Sequence, residues 1–160
     1  MKTIYLAYGS NLNLEQMARR CPTAKVLGSA KLKGYLLTFR GMNGGALANI
    51  EPDATSEVPV LLWELQPADE QTLDRYECYP SLYRKETVTV TFKGQRVKAM
   101  VYVMNEGKPL SAPGGRYYNI IRQGYRQAGF DIGILDQAVK KAAFPDEERS
   151  YKISRYFRVW

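Results

Sequence analysis

Histidine is absent from this chain of 160 residues, and cysteine occurs only twice, at Cys21 and Cys78. Without imidazole there can be no Ser-His-Asp or Cys-His catalysis and no histidine-containing zinc site. Two cysteines alone make a poor structural zinc site. With no export signal in view they read as free thiols, not as a disulfide framework. Nothing approaches the roughly 18 consecutive apolar residues of a membrane span. The first apolar stretch, Ile4 to Ala7, is too short for a signal peptide and soon meets Gly9. The expected compartment is therefore the cytoplasm, and no membrane partner is expected. Internal repeats, low-complexity tracts and linkers are lacking as well. Any acid–base chemistry must come from Asp, Glu, Lys, Tyr or Cys.

What is present suits one ordinary globular domain over residues 1–160, with 145–160 as a C-terminal extension. Hydrophobic residues make up 45%, enough for a sizeable core. The net charge is +7, which favours anionic partners in general. Much of the positive charge lies late in the chain. Arg149, Lys152, Arg155 and Arg158 recur every third residue among Tyr151, Tyr156, Phe157 and Trp160. A nucleic-acid interface needs such charge gathered on one face. A solvated face packed through its aromatics is the simpler reading, so no nucleic-acid partner is expected.

Strand and helix patterns divide the chain near residue 105. Ile4 to Tyr8 reads as a strand. Asn13 reads as a helix N-cap with Gln16 three residues on, opening a helix that runs to about Arg20 and stops before Pro22. Strands are expected at 24–30, 31–39 and 46–50, the last after the loop "RGMNGGA", and at 58–65, "VPVLLWEL". Pro67 with Asp69 and Glu70 opens a second helix. "ETVTVTF" alternates as a half-buried strand does, within a hairpin of strands 83–92 and 96–105 turning at Lys93-Gly94. Tyr117, Ile120, Ile121, Tyr125 and Ala128 then share a helical face that ends at Gly129. Asp131 caps a last helix with Leu135, Ala138, Val139 and Ala142 on one face. The class is α+β.

Two stretches carry candidate chemistry. The first is Tyr8-Gly9-Ser10-Asn11, between a strand and a helix. Gly and Asn tolerate positive φ, and Gly lets a ligand approach the backbone closely. Consecutive N–H groups in such a loop can form an anion-binding concavity. Taken alone, the tetrapeptide favours a plain turn in which Ser10 and Asn11 bond their own backbone. The second stretch is "LDRYECYPSLYRKETV", residues 73–88. Glu77 there is surrounded by Tyr76, Tyr79 and Tyr83. Aromatic surroundings desolvate a carboxylate and raise its pKa, which suits a general acid or base near neutral pH. Taken alone, Glu77 reads more simply as a surface residue paired with Arg75, Arg84 or Lys85.

Together, "YGSN" after the first strand, the Gly44-Gly45 loop, the Trp63 strand, the Asp69-Glu70 helix, Glu77 with its tyrosines and "SAPGGRYYNIIRQG" resemble the γ-glutamylcyclotransferase family, including its AIG2-like relatives. The resemblance spans roughly residues 3 to 140. It implies a small mixed β-barrel-like sheet flanked by helices. It also implies cofactor-independent, metal-free cleavage of a small γ-glutamyl substrate. The substrate's own α-amine attacks its γ-carbonyl, giving 5-oxoproline and a released amine or amino acid. Glu77 takes the place of the catalytic acid/base. Tyr8, Gly9, Ser10 and Asn11 match the binding loop, and Tyr83, Tyr102 and Tyr117 fall near the pocket tyrosines. Relatives commonly carry glycine after the catalytic Glu, where this chain has Cys78, so backbone strain is expected there if the position needs positive φ. A non-catalytic ligand-binding or interaction module on the same fold is the alternative. The residues leave the leaving group and the oligomeric state open.

Overall fold

The fold is known from a computed structural model that describes residues 2–145. The tail from 146 onward, with its basic and aromatic residues, lies outside the described residues. In chain order the elements are β1 (Thr3–Ala7), α1 (Leu14–Arg20), β2 (Lys25–Arg40), β3 (Leu47–Leu65), α2 (Pro67–Tyr76), β4 (Tyr83–Phe92), β5 (Gln95–Met104), α3 (Gly115–Ala128) and α4 (Ile132–Ala143). The class is α+β, as expected.

The five strands form one mixed sheet in the order β2-β3-β1-β5-β4. Short β1 lies at its centre, antiparallel to β3 and parallel to β5. It is covered on both faces, with Tyr5, Leu6 and Ala7 all buried, which is why it reads as a continuous apolar run. The sheet curls strongly without closing into a barrel. Its outer strands β2 and β4 meet through side chains and share no ladder: a Cβ added to Gly28 of β2 would lie 2.9 Å from the Phe92 ring of β4.

Two pairs of expected strands are single long ones. The segments at 24–30 and 31–39 are parts of β2, and those at 46–50 and 58–65 are parts of β3. The exposed stretch Glu51 to Glu57 carries no apolar face, so periodicity alone does not reveal it as strand. Its ends are held by β2, with Glu51 opposite Leu36, Pro52 opposite Tyr35 and Glu57 opposite Lys33, and Asp53 to Ser56 bulge out between them without a partner in that ladder. Pro52 is tolerated in that ladder beside an irregularity between Lys33 and Tyr35, where Gly34 takes φ +85°.

The helices follow their caps. The Asn13 side chain accepts from the Gln16 N–H at 3.0 Å, starting α1. Asp69 accepts from the Gln66 N–H at 2.8 Å, and Pro67 begins α2. The Asp131 carboxylate accepts from the Gly133 N–H at 2.9 Å and starts α4. Each such cap contributes about 1 kcal/mol. Leu135, Ala138 and Ala142 put one face of α4 into the core against β2. Leu6, Leu12, Phe39, Ile50, Leu62, Leu65 and Ile121 are fully buried, each stabilising the fold by roughly 1.5–3 kcal/mol through burial.

Candidate active site

Where β1 ends at Ala7, the chain leaves the sheet through Tyr8 and Gly9 into a single helical turn, Ser10–Leu12. Ser10, Asn11, Leu12 and Asn13 are all buried. Helix α3 locks this loop from behind. The Asn13 Nδ2 donates to the Ile120 carbonyl (3.0 Å) and to Gln123 Oε1 (2.9 Å), and the Leu14 N–H donates to Gln127 Oε1 (2.9 Å). Nearby, the start of β3 curls over to β4 and β5. Tyr83 OH donates to the Ala48 carbonyl (2.6 Å), and the Met104 N–H donates to Asn49 Oδ1 (2.9 Å).

Between these parts lies a cavity of about 210 Å³. Its walls bring together every candidate residue read from the sequence: Tyr8, Gly9, Ser10, Asn11, Glu77, Tyr83, Tyr102 and Tyr117. Tyr5, Tyr76, Leu47, Ala48 and Leu82 complete them.

Glycine at position 9 answers to crowding, not to positive φ. Its φ is −122°, and Asn11 does not take a positive φ either. A Cβ on Gly9 would lie 3.1 Å from the Ala48 Cβ and 3.7 Å from the Tyr117 hydroxyl, intruding on the cavity. Among the described residues, the Gly9, Ser10 and Asn11 N–H groups have no acceptor, as expected where a helical turn begins.

Glu77 stands at the C-terminal end of α2, where its N–H bonds the Leu73 carbonyl at 2.8 Å. Burial pushes its carboxyl up to about 7, and the Arg20 guanidinium acts in the opposite direction. Asn11 Nδ2 donates to Glu77 Oε1 at 3.4 Å and to Tyr5 OH at 2.9 Å. Arg20 donates to Asn11 Oδ1 and to Gln16 Oε1, the latter at 3.1 Å. Its guanidinium also stacks 3.5 Å over the Tyr76 ring, and Tyr76 OH meets Ser10 Oγ at 3.0 Å.

The pocket tyrosines are not equivalent. Tyr8 OH donates to the Tyr102 carbonyl (2.7 Å), and Tyr83 OH to Ala48. Tyr102 OH donates to Asp74 Oδ1 at 2.6 Å. That carboxylate is itself held by Lys85, which also bonds Glu70. Tyr117 OH instead accepts from the Ala48 N–H at 3.0 Å, so its own proton has no acceptor among the described residues. Burial raises the pKa of all four, so each stays a neutral phenol.

Cys78, directly after Glu77, adopts φ +51° and is exposed. A non-glycine side chain therefore occupies a left-handed backbone position. Among the described residues, no group of three or more Cys, Asp or Glu is placed to hold a metal ion. No described helix is long and apolar enough to cross a membrane.

Sequence reading missed Arg20, Tyr5 and Asp74, and named Tyr76 only as an aromatic neighbour of Glu77. Arg20 carried only a helix-end signal, and its contacts with Asn11 and Tyr76 come from the docking of α1 on α2. Tyr5 sits in an apolar strand whose pocket-facing side is chosen by the sheet.

A curled mixed sheet with helices around it carries a half-buried carboxyl that shares a small cavity with a glycine-containing loop, a site of the size and polarity that suits a small ligand. The sequence profile described as "Gamma-glutamyl cyclotransferase, AIG2-like" matches residues 5–120, and the chain belongs to that family. A gamma-glutamylcyclotransferase of Homo sapiens is 28% identical over 153 residues, covering 90% of this chain and 80% of its own length. One of Bos taurus is 28% identical over 138 residues, covering 81% of this chain and 73% of its own length. A solved structure named "Gamma-glutamyl cyclotransferase" superimposes with a TM-score of 0.74 at 26% identity, covering 86% of both chains.

Proposed function

We propose that this protein is a γ-glutamyl cyclotransferase in which Glu77 is the general acid/base. The observation that carries the reading is the Glu77 carboxyl. It is pushed up to about 7 by burial, in a cavity it shares with the Gly9–Asn11 loop. A group with that pKa exists in both protonation states near neutral pH, as a proton shuttle requires.

The chemistry balances without a protein nucleophile. Ionised Glu77 takes a proton from the substrate's α-ammonium. The freed amine attacks the γ-carbonyl carbon, forming the ring C–N bond. Protonated Glu77 returns that proton to the leaving nitrogen as the original C–N bond breaks. The re-ionised Glu77 carboxylate then passes the second proton of the attacking nitrogen to the departing amine, so the ring nitrogen ends as a lactam N–H and the amine leaves as an ammonium. 5-Oxoproline and an amine or amino acid result. Nucleophile and electrophile belong to one molecule, so holding it folded supplies much of the rate. The N–H groups of Gly9, Ser10 and Asn11 are suited to hold the γ-glutamyl group, by its α-carboxylate or its polarised carbonyl oxygen. Tyr83, Tyr102 and Tyr8 shape the walls, and Tyr117 has a hydroxyl proton to offer. A cavity of about 210 Å³ suits one amino-acid-sized moiety, with the leaving group projecting out.

The test is incubation with a panel of γ-glutamyl amino acids and amines, with 5-oxoproline as the readout. Glu77→Gln keeps the shape and removes the base, and is expected to lose at least about 10²-fold in rate. Equal turnover by wild type and Glu77→Gln would refute the mechanism.

A second reading, a ligand-binding module on the same fold, is favoured by one observation: the strained Cys78 beside Glu77. It predicts saturable binding of a γ-glutamyl compound with no 5-oxoproline formed.

A further inference from the structure

We infer that Arg20 is a positioning residue of this site, whose guanidinium fixes the Asn11 carboxamide so that its Nδ2 faces the Glu77 carboxyl. The kinetic consequence rests on the acid–base reading of Glu77, and the geometry stands without it.

Arginine carries donors and no acceptor, so only the amide oxygen of Asn11 can face it. The Arg20 contact to Asn11 Oδ1 therefore excludes the flipped amide. With the oxygen held, both remaining contacts of Asn11 come from Nδ2, to Tyr5 OH at 2.9 Å and to Glu77 Oε1 at 3.4 Å. A flipped amide would turn an acceptor toward the carboxylate and repel its ionised form. Arg20 is held in place by two further contacts. Its Nη2 donates to Gln16 Oε1, and its plane lies on the Tyr76 ring. Tyr76 is the residue before Glu77, so one guanidinium ties α1, the Ser10–Leu12 turn and the end of α2 together. A lysine ammonium has no planar fork with which to make these contacts at once.

Around Glu77 the other facing groups are neutral phenols: Tyr5 from β1, Tyr8 after it, Tyr83 from β4 and Tyr117 from α3. Asp74 and Glu70 of α2 are engaged by Lys85. Arg20 is the charged group acting on Glu77, and it favours the ionised form against burial.

The test has two readouts. The Glu77 carboxyl is titrated by carbon-13 NMR in the ligand-free protein, its signal assigned by its loss in Glu77→Gln. In Arg20→Gln the titration is expected to move up by on the order of one pH unit. In Arg20→Lys, which keeps the charge without the fork, it is expected to move up by a smaller step, the part that comes from losing the oriented Asn11 Nδ2 donor. If Arg20→Gln does not fold, Asn11→Leu replaces it as the variant that removes the Nδ2 donor, with the same direction of shift. In turnover of γ-glutamyl substrates, both Arg20 variants are expected to lose roughly tenfold in kcat with KM changed much less. The acid limb of the Arg20→Gln profile should move with its titration. An unmoved titration in folded Arg20→Gln, or full kcat in Arg20→Lys, overturns the inference. Absence of 5-oxoproline from the wild type would count against the cyclotransferase reading alone, because the titration decides Arg20 by itself.

Discussion

Gly124 of α3 lies directly on Leu12: a Cβ at Gly124 would stand 2.7 Å from the Leu12 Cβ and 2.9 Å from the Asn13 nitrogen. The turn that carries Ser10 and Asn11 is thus seated on bare helix backbone, and its distance from Glu77 is set by that contact. Gly124→Ala is expected to cost about 1–3 kcal/mol by overpacking. It should also raise KM for γ-glutamyl substrates, because the loop must retreat. Thermal unfolding and steady-state kinetics check both. A variant as stable and as active as wild type would show that the seat is not tight.

Glu77 makes stability depend on pH with a sign opposite to that of most carboxylates. Its folded value, about 7, lies above the ordinary 4.5. The folded chain therefore holds the proton more tightly than the unfolded chain, and stability falls as pH rises between those values. At 1.36 kcal/mol per unit, the cost approaches about 3 kcal/mol above pH 7. Glu77→Gln should be more stable than wild type at pH 8 and about equal at pH 4.5. Urea unfolding at the two pH values measures it, and an equal difference at both would contradict the assigned burial.

Cys78→Gly should stabilise the fold. A side chain in the left-handed region costs roughly 1–2 kcal/mol, against about 0.4–1 kcal/mol of extra unfolded-state entropy for glycine. Cys78 is exposed, so little packing is lost. The expected gain is about 0.5–1 kcal/mol, read as a rise in Tm, with cyclotransferase activity kept or increased.

Tyr117→Phe and Tyr102→Phe should separate. Tyr102 OH is engaged with Asp74, so its removal should lower stability by about 1 kcal/mol and change turnover little. Tyr117 has an unengaged proton at the cavity wall, and its loss should lower kcat/KM by about tenfold, the value of one hydrogen bond to a reacting group. Equal kinetic effects would remove the distinction.

The local elements were legible because their signals are local. Asn13 with Gln16, Pro67 with Asp69, Lys93-Gly94 and Asp131 each lie within a few residues of the backbone they shape. The continuity of β2 and β3 was not legible, since Glu51 to Glu57 has no buried face and joins the ladder only through Glu51, Pro52 and Glu57, around a bulge at Asp53 to Ser56. Every expected pocket residue lines one cavity, yet the role of each hydroxyl was invisible. Which of four similar tyrosines has an acceptor depends on partners up to 94 residues away, as for Tyr8 and the Tyr102 carbonyl.

By itself, then, the sequence determined the α+β class, the helix starts and the exclusion of histidine chemistry, and it singled out "YGSN" and Glu77, which line one cavity in the fold. Tertiary structure alone decided that Glu77 is buried enough to hold its proton to about 7, that Arg20 orients Asn11, and that Gly9 and Gly124 serve close packing. The reason is physical. Caps, turns and apolar periodicity act over a few residues, whereas desolvation, amide orientation and steric clearance are properties of whatever the fold brings alongside.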